Sequence, residues 1–292
     1  MDWVFERVAG PFSLTEGPVW DGSGLLFSDI PTSRILRYDP RTGRCSVYRT
    51  ATHETNGLFL DHLGYLYACE GGGRRITRYD PAGSVTVLAD RFEGKRLNSP
   101  NDIIVDSRGR VWFSDPRYGD KTDDLELGHE SVYRLDPTAD GGWTIRRMTF
   151  DTTKPNGLAL SPDEKTLYVA QSHYGEGNTR ELRAYAIHDD GALGSYAVLH
   201  NFYPHRGIDG MKLDAEGNII ATAGWRQSGP GPMIYVFAPN GRVLETHPVP
   251  EDRPTNCAFG DDDLQTLYVT TIEGWLLRAR THRRGIAVGR MR

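Results

Sequence analysis

The chain has 292 residues, 38% hydrophobic and 25% charged, enough to bury a substantial core, and its 33 glycines and 17 prolines are dispersed like turn formers rather than bunched. A formal net charge of −5 argues against a nucleic-acid partner, which usually leaves a basic footprint. No apolar run reaches about 18 residues, so no membrane span is expected, and Met1–Arg7 lacks the basic-then-apolar order of a signal peptide, so the expected location is cytoplasmic.

In chain order, Val4–Val8 comes first, a strand-like stretch with no partner nearby in sequence. A unit then repeats six times, with heads EGPVWD from Glu16, NGLFLD from Asn56, NDIIVD from Asn101, NGLALS from Asn156, DGMKLD from Asp209 and NCAFGD from Asn256. The heads are spaced by 40, 45, 55, 53 and 47 residues, which brackets the period of propeller blades. A turn follows each head, such as Asp21-Gly22-Ser23-Gly24 or Asp106-Ser107-Arg108-Gly109, and such clusters signal hairpins. Second strands come next (LLFSD, YLYACE, VWFSD, TLYVAQ, IIATAG, TLYVTT), then third strands (ILRYD, ITRYD, VYRLD, LRAYAI, IYVFA, LLRAR). Weaker fourth strands (CSVYR, VTVLA, TIRRMTF, YAVLHNF, RVLETHPV) complete five of the units.

Four short antiparallel strands make one propeller blade. The sixth unit runs out after three, and Val4–Val8 is expected to supply its fourth, closing the ring and protecting its edge. The fold class read from the sequence is therefore all-β, a six-bladed β-propeller, as a single domain over residues 1–292; a β-sandwich is the competing reading. No helical periodicity of any length appears. Cys45, Cys69 and Cys257 are far apart with no CxxC pair, so they are read as buried free thiols. The basic tail from Arg278 to Arg292 is read as a solvated terminal segment.

First strands of propeller blades line the central channel, so homologous head residues lie on one ring. Here that ring is Glu16, Asn56, Asn101, Asn156, Asp209 and Asn256, with no apolar member. Converging buried polar groups need partners, and two carboxylates at one mouth repel. A divalent cation answers both needs: Glu16 and Asp209 supply charge, while Asn101 and Asn156 supply amide oxygens. Calcium fits this all-oxygen set best. Magnesium, manganese or zinc could substitute, zinc being disfavoured by the lack of Cys and His in the ring. The alternative is a water-filled channel with strand-capping Asn residues.

These residues carry a resemblance. Glu16-Gly17-Pro18-Val19-Trp20, Gly94 through Asp102 (GKRLNSPND), Phe113-Ser114-Asp115-Pro116 with Tyr118, Pro155-Asn156-Gly157-Leu158-Ala159, Asp209-Gly210-Met211 and Thr255 through Gly260 (TNCAFG) stand in order and in blade register. Together they resemble the senescence-marker-protein/gluconolactonase family over nearly the full length, and the stretch around Asn98 is similar to its bacterial gluconolactonase branch. The resemblance implies hydrolysis of sugar-acid lactones and a metal held by Glu16, Asn101, Asn156 and Asp209. Ser99 stands where the animal branch has a substrate-binding arginine, and Gly71 follows Cys69-Glu70 where bacterial members often have His.

The expected partner is a small-molecule lactone, with no nucleic acid and no membrane; the sequence leaves the oligomeric state open. Asp209 is the candidate general base for the attacking water, with direct nucleophilic attack by Asp209 as the alternative, and Asn101 is expected to shift between metal and substrate. Arg117, Tyr118, His173 and His205 are expected to meet sugar hydroxyls from loops above the ring, with His53, Glu54, Tyr174 and Trp225 as further candidates. Asn56 is expected to hold water or substrate. Asp102 is placed with the substrate contacts, or else orients its neighbours. No GxSxG elbow appears. Two rival functions use the same fold: a metal-dependent phosphotriesterase-like hydrolase and a non-enzymatic ligand-binding propeller.

Overall fold

The structure, a computed structural model, describes residues 3–286. Six four-stranded antiparallel sheets succeed one another along the chain. Blade one comprises Thr15–Trp20, Leu25–Asp29, Arg34–Asp39 and Arg44–Thr50. The innermost strands of blades two to six are Thr55–Leu60, Ile103–Val105, Pro155–Leu160, Ile208–Leu213 and Pro254–Gly260. These first strands contact one another from blade to blade, while fourth strands such as Arg44–Thr50 face solvent. The expected six-bladed β-propeller is the fold found. Among the described residues the only helical piece is a 3₁₀ turn at Ile30–Thr32, and no helix is long and apolar enough to cross a membrane.

The ring closes with the N-terminal strand, as expected from the missing fourth strand. Glu6–Ala9 pairs with Leu276–Arg280 through Glu6↔Arg278 and Arg7↔Leu277. This strand lies slightly later than Val4–Val8, because Val4 stays exposed and a register break separates Arg7 from Ala9. Side chains reinforce the closure. Arg7 Nε donates to the buried Glu251 at 2.6 Å and its guanidinium lies 4.3 Å over Trp275, while Trp3 stacks on His247 at 4.0 Å.

Apolar side chains fill the spaces between neighbouring blades rather than the axis. Between blades two and three, Cys69, Ile76, Ile103, Phe113 and Tyr133 form one such cluster, with the rings of Phe113 and Tyr133 5.5 Å apart. Each fully buried Leu, Ile or Phe stabilises the fold by about 1.5–3 kcal/mol. The axis is therefore free for polar heads. One element was not anticipated: a short hairpin, Arg91–Phe92 with Lys95–Arg96, rises between blades two and three.

Candidate functional site

In five of the six blades the channel head sits at a break in its ladder. Thr15 pairs with Asp29, Thr55 with Glu70, Pro155 with Gln171, Ile208 with Ala223 and Pro254 with Thr271. A bulge follows at each of these heads and re-aims the next side chains. Immediately after the paired residue come Glu16, Asn56, Asn156 and Asp209, with Asn101 in the corresponding place of blade three. In blade six that place belongs to Thr255, so the sixth ring member expected from the sequence is displaced by one residue. Asn256 occupies the register of Gly17, Gly57, Asp102, Gly157 and Gly210 instead.

That second layer closes the channel beneath the ring. A Cβ on Gly17, whose φ is +52°, would sit 2.3 Å from the carbonyl oxygen of Asn56. One on Gly210 would sit 2.1 Å from the Asn256 amide carbon, so only glycine allows this approach. Asp102, 1% exposed, accepts the Ile103 N–H on Oδ1 and the Leu158 N–H on Oδ2, each at 3.0 Å. Expected among the substrate contacts, it is also a strut joining blades three and four, with each of its oxygens accepting one backbone N–H. Asn256 is built alike, accepting the Cys257 N–H at 2.9 Å and donating to Glu16 Oε2 at 3.1 Å. Below this layer lies a cavity of about 860 Å³ lined by Val19, Phe59, Ile104 and Ala159, which contains none of the ring residues.

Above it the ring is crowded with charge. Glu16 accepts the Gly17 N–H at 2.5 Å, and burial, then the charges of Asp209 and Asp102, push its pKa well above the usual carboxylate range. Burial lifts Asp209 to about 6; Arg206 and Asn156 oppose that shift, and Asp102 adds to it. Arg206, 5% exposed, donates from Nη2 to Asp209 Oδ2 and from Nη1 to the carbonyls of Gly224 and Pro254 at 3.2 Å. Asn156 donates to the Tyr118 hydroxyl at 3.1 Å. Asn101 is held by its backbone, donating to Ser114 O at 2.9 Å and accepting from Gly57 at 2.7 Å. Upstream, Asp115 accepts the N–H groups of Asn98 and Ser99 at 2.8 Å each, so the Phe113-Ser114-Asp115 motif clamps the stretch leading to Asn101.

The loop candidates separate. Tyr118 belongs to the site: its hydroxyl meets Asn156, and its ring packs with Tyr174 at 6.2 Å. Tyr174 adds a buried hydroxyl with no partner, and burial pushes its pKa up to about 12, so it is a neutral donor. Arg117 turns its guanidinium to Asp124 at 2.8 Å. His173 pairs at 3.3 Å with Thr153, and burial and then Lys154 lower its pKa. His205 packs against Gly229, with its backbone oxygen accepting from Arg180. Among the described residues none of these last three side chains hydrogen-bonds to a ring residue. Sequence reading chose His205 and missed its neighbour Arg206; a cation three residues before the head aspartate was the available signal.

The donor set suits a hard divalent cation. Its oxygens come from two buried carboxylates and amide groups, and the buried Asn56 Oδ1 has no partner. Among the described residues no group of three or more His, Cys, Asp or Glu is placed to hold a metal, so the amides are needed. With Asp102 and Arg206 counted, the head of the channel carries a net charge of −2 when its three carboxylates are ionised.

Residues 14–273 match the family model described as the SMP-30/gluconolactonase/LRE-like region. The chain belongs to this family. It is 34% identical to the gluconolactonase of Zymomonas mobilis, with 94% of this chain and 81% of that protein aligned. It is 32% identical to a pentonolactonase of Haloferax volcanii, over 89% and 82% of the two chains. A solved gluconolactonase from Xanthomonas campestris superposes with a TM-score of 0.82 at 36% identity, covering 95% of this chain and 89% of the other. In this SMP-30/gluconolactonase family member, the matched region contains all six head positions, from Glu16 to Thr255.

Proposed function

We propose that this chain is a divalent-metal-dependent lactonase that opens sugar-acid lactones such as gluconolactone, with calcium as its metal and the whole ring working as one domain. The observation that carries the reading is the buried pair Glu16 and Asp209 at the channel head, flanked by Asn101 and Asn156. The family and its gluconolactonase and pentonolactonase members support the substrate class.

Glu16, Asn101, Asn156 and Asp209 would hold the metal, which supplies positive charge beside the lactone carbonyl oxygen. Every other role falls to the chain. Arg206 fixes the Asp209 carboxylate through Oδ2, and the lone pairs of that carboxylate suffice to serve the metal as well and still take the proton of a water attacking the carbonyl carbon. Burial favours the protonated form of Asp209, which makes its carboxylate a better proton acceptor than an exposed one. As the ring C–O bond breaks, the proton is returned to the leaving alkoxide. Asn101 orients the carbonyl. Tyr118 forms a wall against the sugar ring, and the unpaired Tyr174 hydroxyl donates to a sugar oxygen. Asn56 Oδ1 accepts from a sugar hydroxyl.

The test is hydrolysis of glucono-1,5-lactone followed by pH-stat, with protein stripped by chelator and then refilled with calcium. Activity that disappears on stripping and returns on refilling supports the reading. Undiminished activity after complete stripping overturns the metal requirement.

A further inference from the structure

Beside the ring, under the hairpin Arg91–Phe92 with Lys95–Arg96, two guanidiniums grip one carboxylate. Arg74 is 3% exposed. It donates from Nε to Leu97 O at 2.6 Å and from Nη1 to Asp124, at 2.9 Å to the carbonyl and 3.4 Å to Oδ2. Arg117 Nη2 donates to the other oxygen, Asp124 Oδ1, at 2.8 Å. Each guanidinium keeps a buried N–H with no acceptor: Nη2 of Arg74 and Nε of Arg117. Unanswered buried donors on charged groups are costly and uncommon.

Charge is unbalanced in the same direction. Glu126 accepts the backbone N–H of Arg96 at 2.8 Å and lies 3.9 Å from the Arg91 guanidinium, so three guanidiniums share the carboxylates of Asp124 and Glu126. Burial, and then Arg96 and Arg117, push the pKa of Arg74 below the usual guanidinium range.

The position adjoins the candidate lactone site on two sides. Arg117 precedes Tyr118, whose hydroxyl meets Asn156. Leu97, the acceptor for Arg74, begins the clamped stretch to Asn101, and four residues span at most about 14 Å. Asp124 is on a loop with its side chain 35% exposed, so it is the group free to leave. An oxyanion with two or three oxygens fits the same bidentate geometry and can also meet the unanswered N–H groups.

We propose that Arg74 and Arg117 form an anion subsite, held closed by Asp124, that takes the distal phosphate, sulfonate or carboxylate of an acidic sugar lactone. This rests on the lactonase reading above. The test compares KM and kcat for glucono-1,5-lactone and its 6-phosphate in wild type, Asp124→Asn and Arg74→Met. The wild type should favour the phosphorylated lactone in KM by about ten-fold, the scale of one charge-assisted hydrogen bond. Asp124→Asn should widen that ratio by freeing both guanidiniums, and Arg74→Met should bring it to about one. A ratio unmoved by either variant overturns the proposal and leaves the triad as a loop tie. If wild type opens neither lactone, the lactonase reading fails by itself, and calorimetric titration of inorganic phosphate decides the subsite. Phosphate binding gained in Asp124→Asn and lost in the double variant with Arg74→Met supports it; no binding in Asp124→Asn overturns it.

Discussion

Arg206 donates from Nη2 to Oδ2 of Asp209, and both side chains are buried at the head of the channel. The contact orients the aspartate's carboxylate at the ring. Arg206 also lowers the pKa of Asp209 against the rise caused by burial. Replacing it with Met should therefore move the acid limb of the kcat profile toward higher pH. A pH-rate series on wild type and Arg206→Met reads this; an unmoved limb removes Arg206 from the mechanism.

Asp209→Asn keeps the shape of the side chain and removes its charge and basicity. Lactone hydrolysis should fall by at least about 100-fold, the lower end of what a general base contributes. Calcium affinity measured by calorimetry should fall with it, while circular dichroism stays that of wild type. Full activity in this variant would transfer the base role elsewhere.

Protons compete with the metal for Glu16 and Asp209, because the pKa of each is raised. Calcium affinity should be greatest at neutral pH and above, and weaken as pH falls through about 6. The metal-free protein should show the opposite trend in stability. With Asp209 near 6 when folded and about 3.9 unfolded, the folded state binds more protons between those values. Its contribution is fully present below the unfolded value and lost as pH rises through the folded one, on the order of 3 kcal/mol. Thermal melts of stripped protein at pH 5 and 7.5 should show the higher Tm at pH 5, and added calcium should raise Tm most at pH 7.5.

Gly17→Ala places a Cβ 2.3 Å from the Asn56 carbonyl at a φ of +52°. Backbone must move on one side or the other, at a cost of about 1–3 kcal/mol. Denaturant unfolding should show a lower midpoint. Because Glu16 is adjacent, calcium affinity should fall too, whereas Gly22→Ala, with open space at its Cβ, should leave that affinity unchanged.

Much of this molecule is written locally. Period-two strands, Gly/Asp turns and polar heads recur at blade spacing, and each signal lies within a few neighbouring residues, so the six blades and four proposed ligands could be read directly. The missing strand of the sixth unit even implied the ring's closure. Tertiary structure decided what depends on one blade meeting the next. The bulge register put Thr255, rather than Asn256, level with the other heads, a one-residue shift that composition does not record. Each oxygen of Asp102 accepted a backbone N–H, one of them from the following blade. Between the adjacent residues His205 and Arg206, the path of the chain into blade five turned the second toward Asp209 and the first away. Such choices rest on long-range hydrogen bonds and close backbone approach, which exist only once the ring has closed.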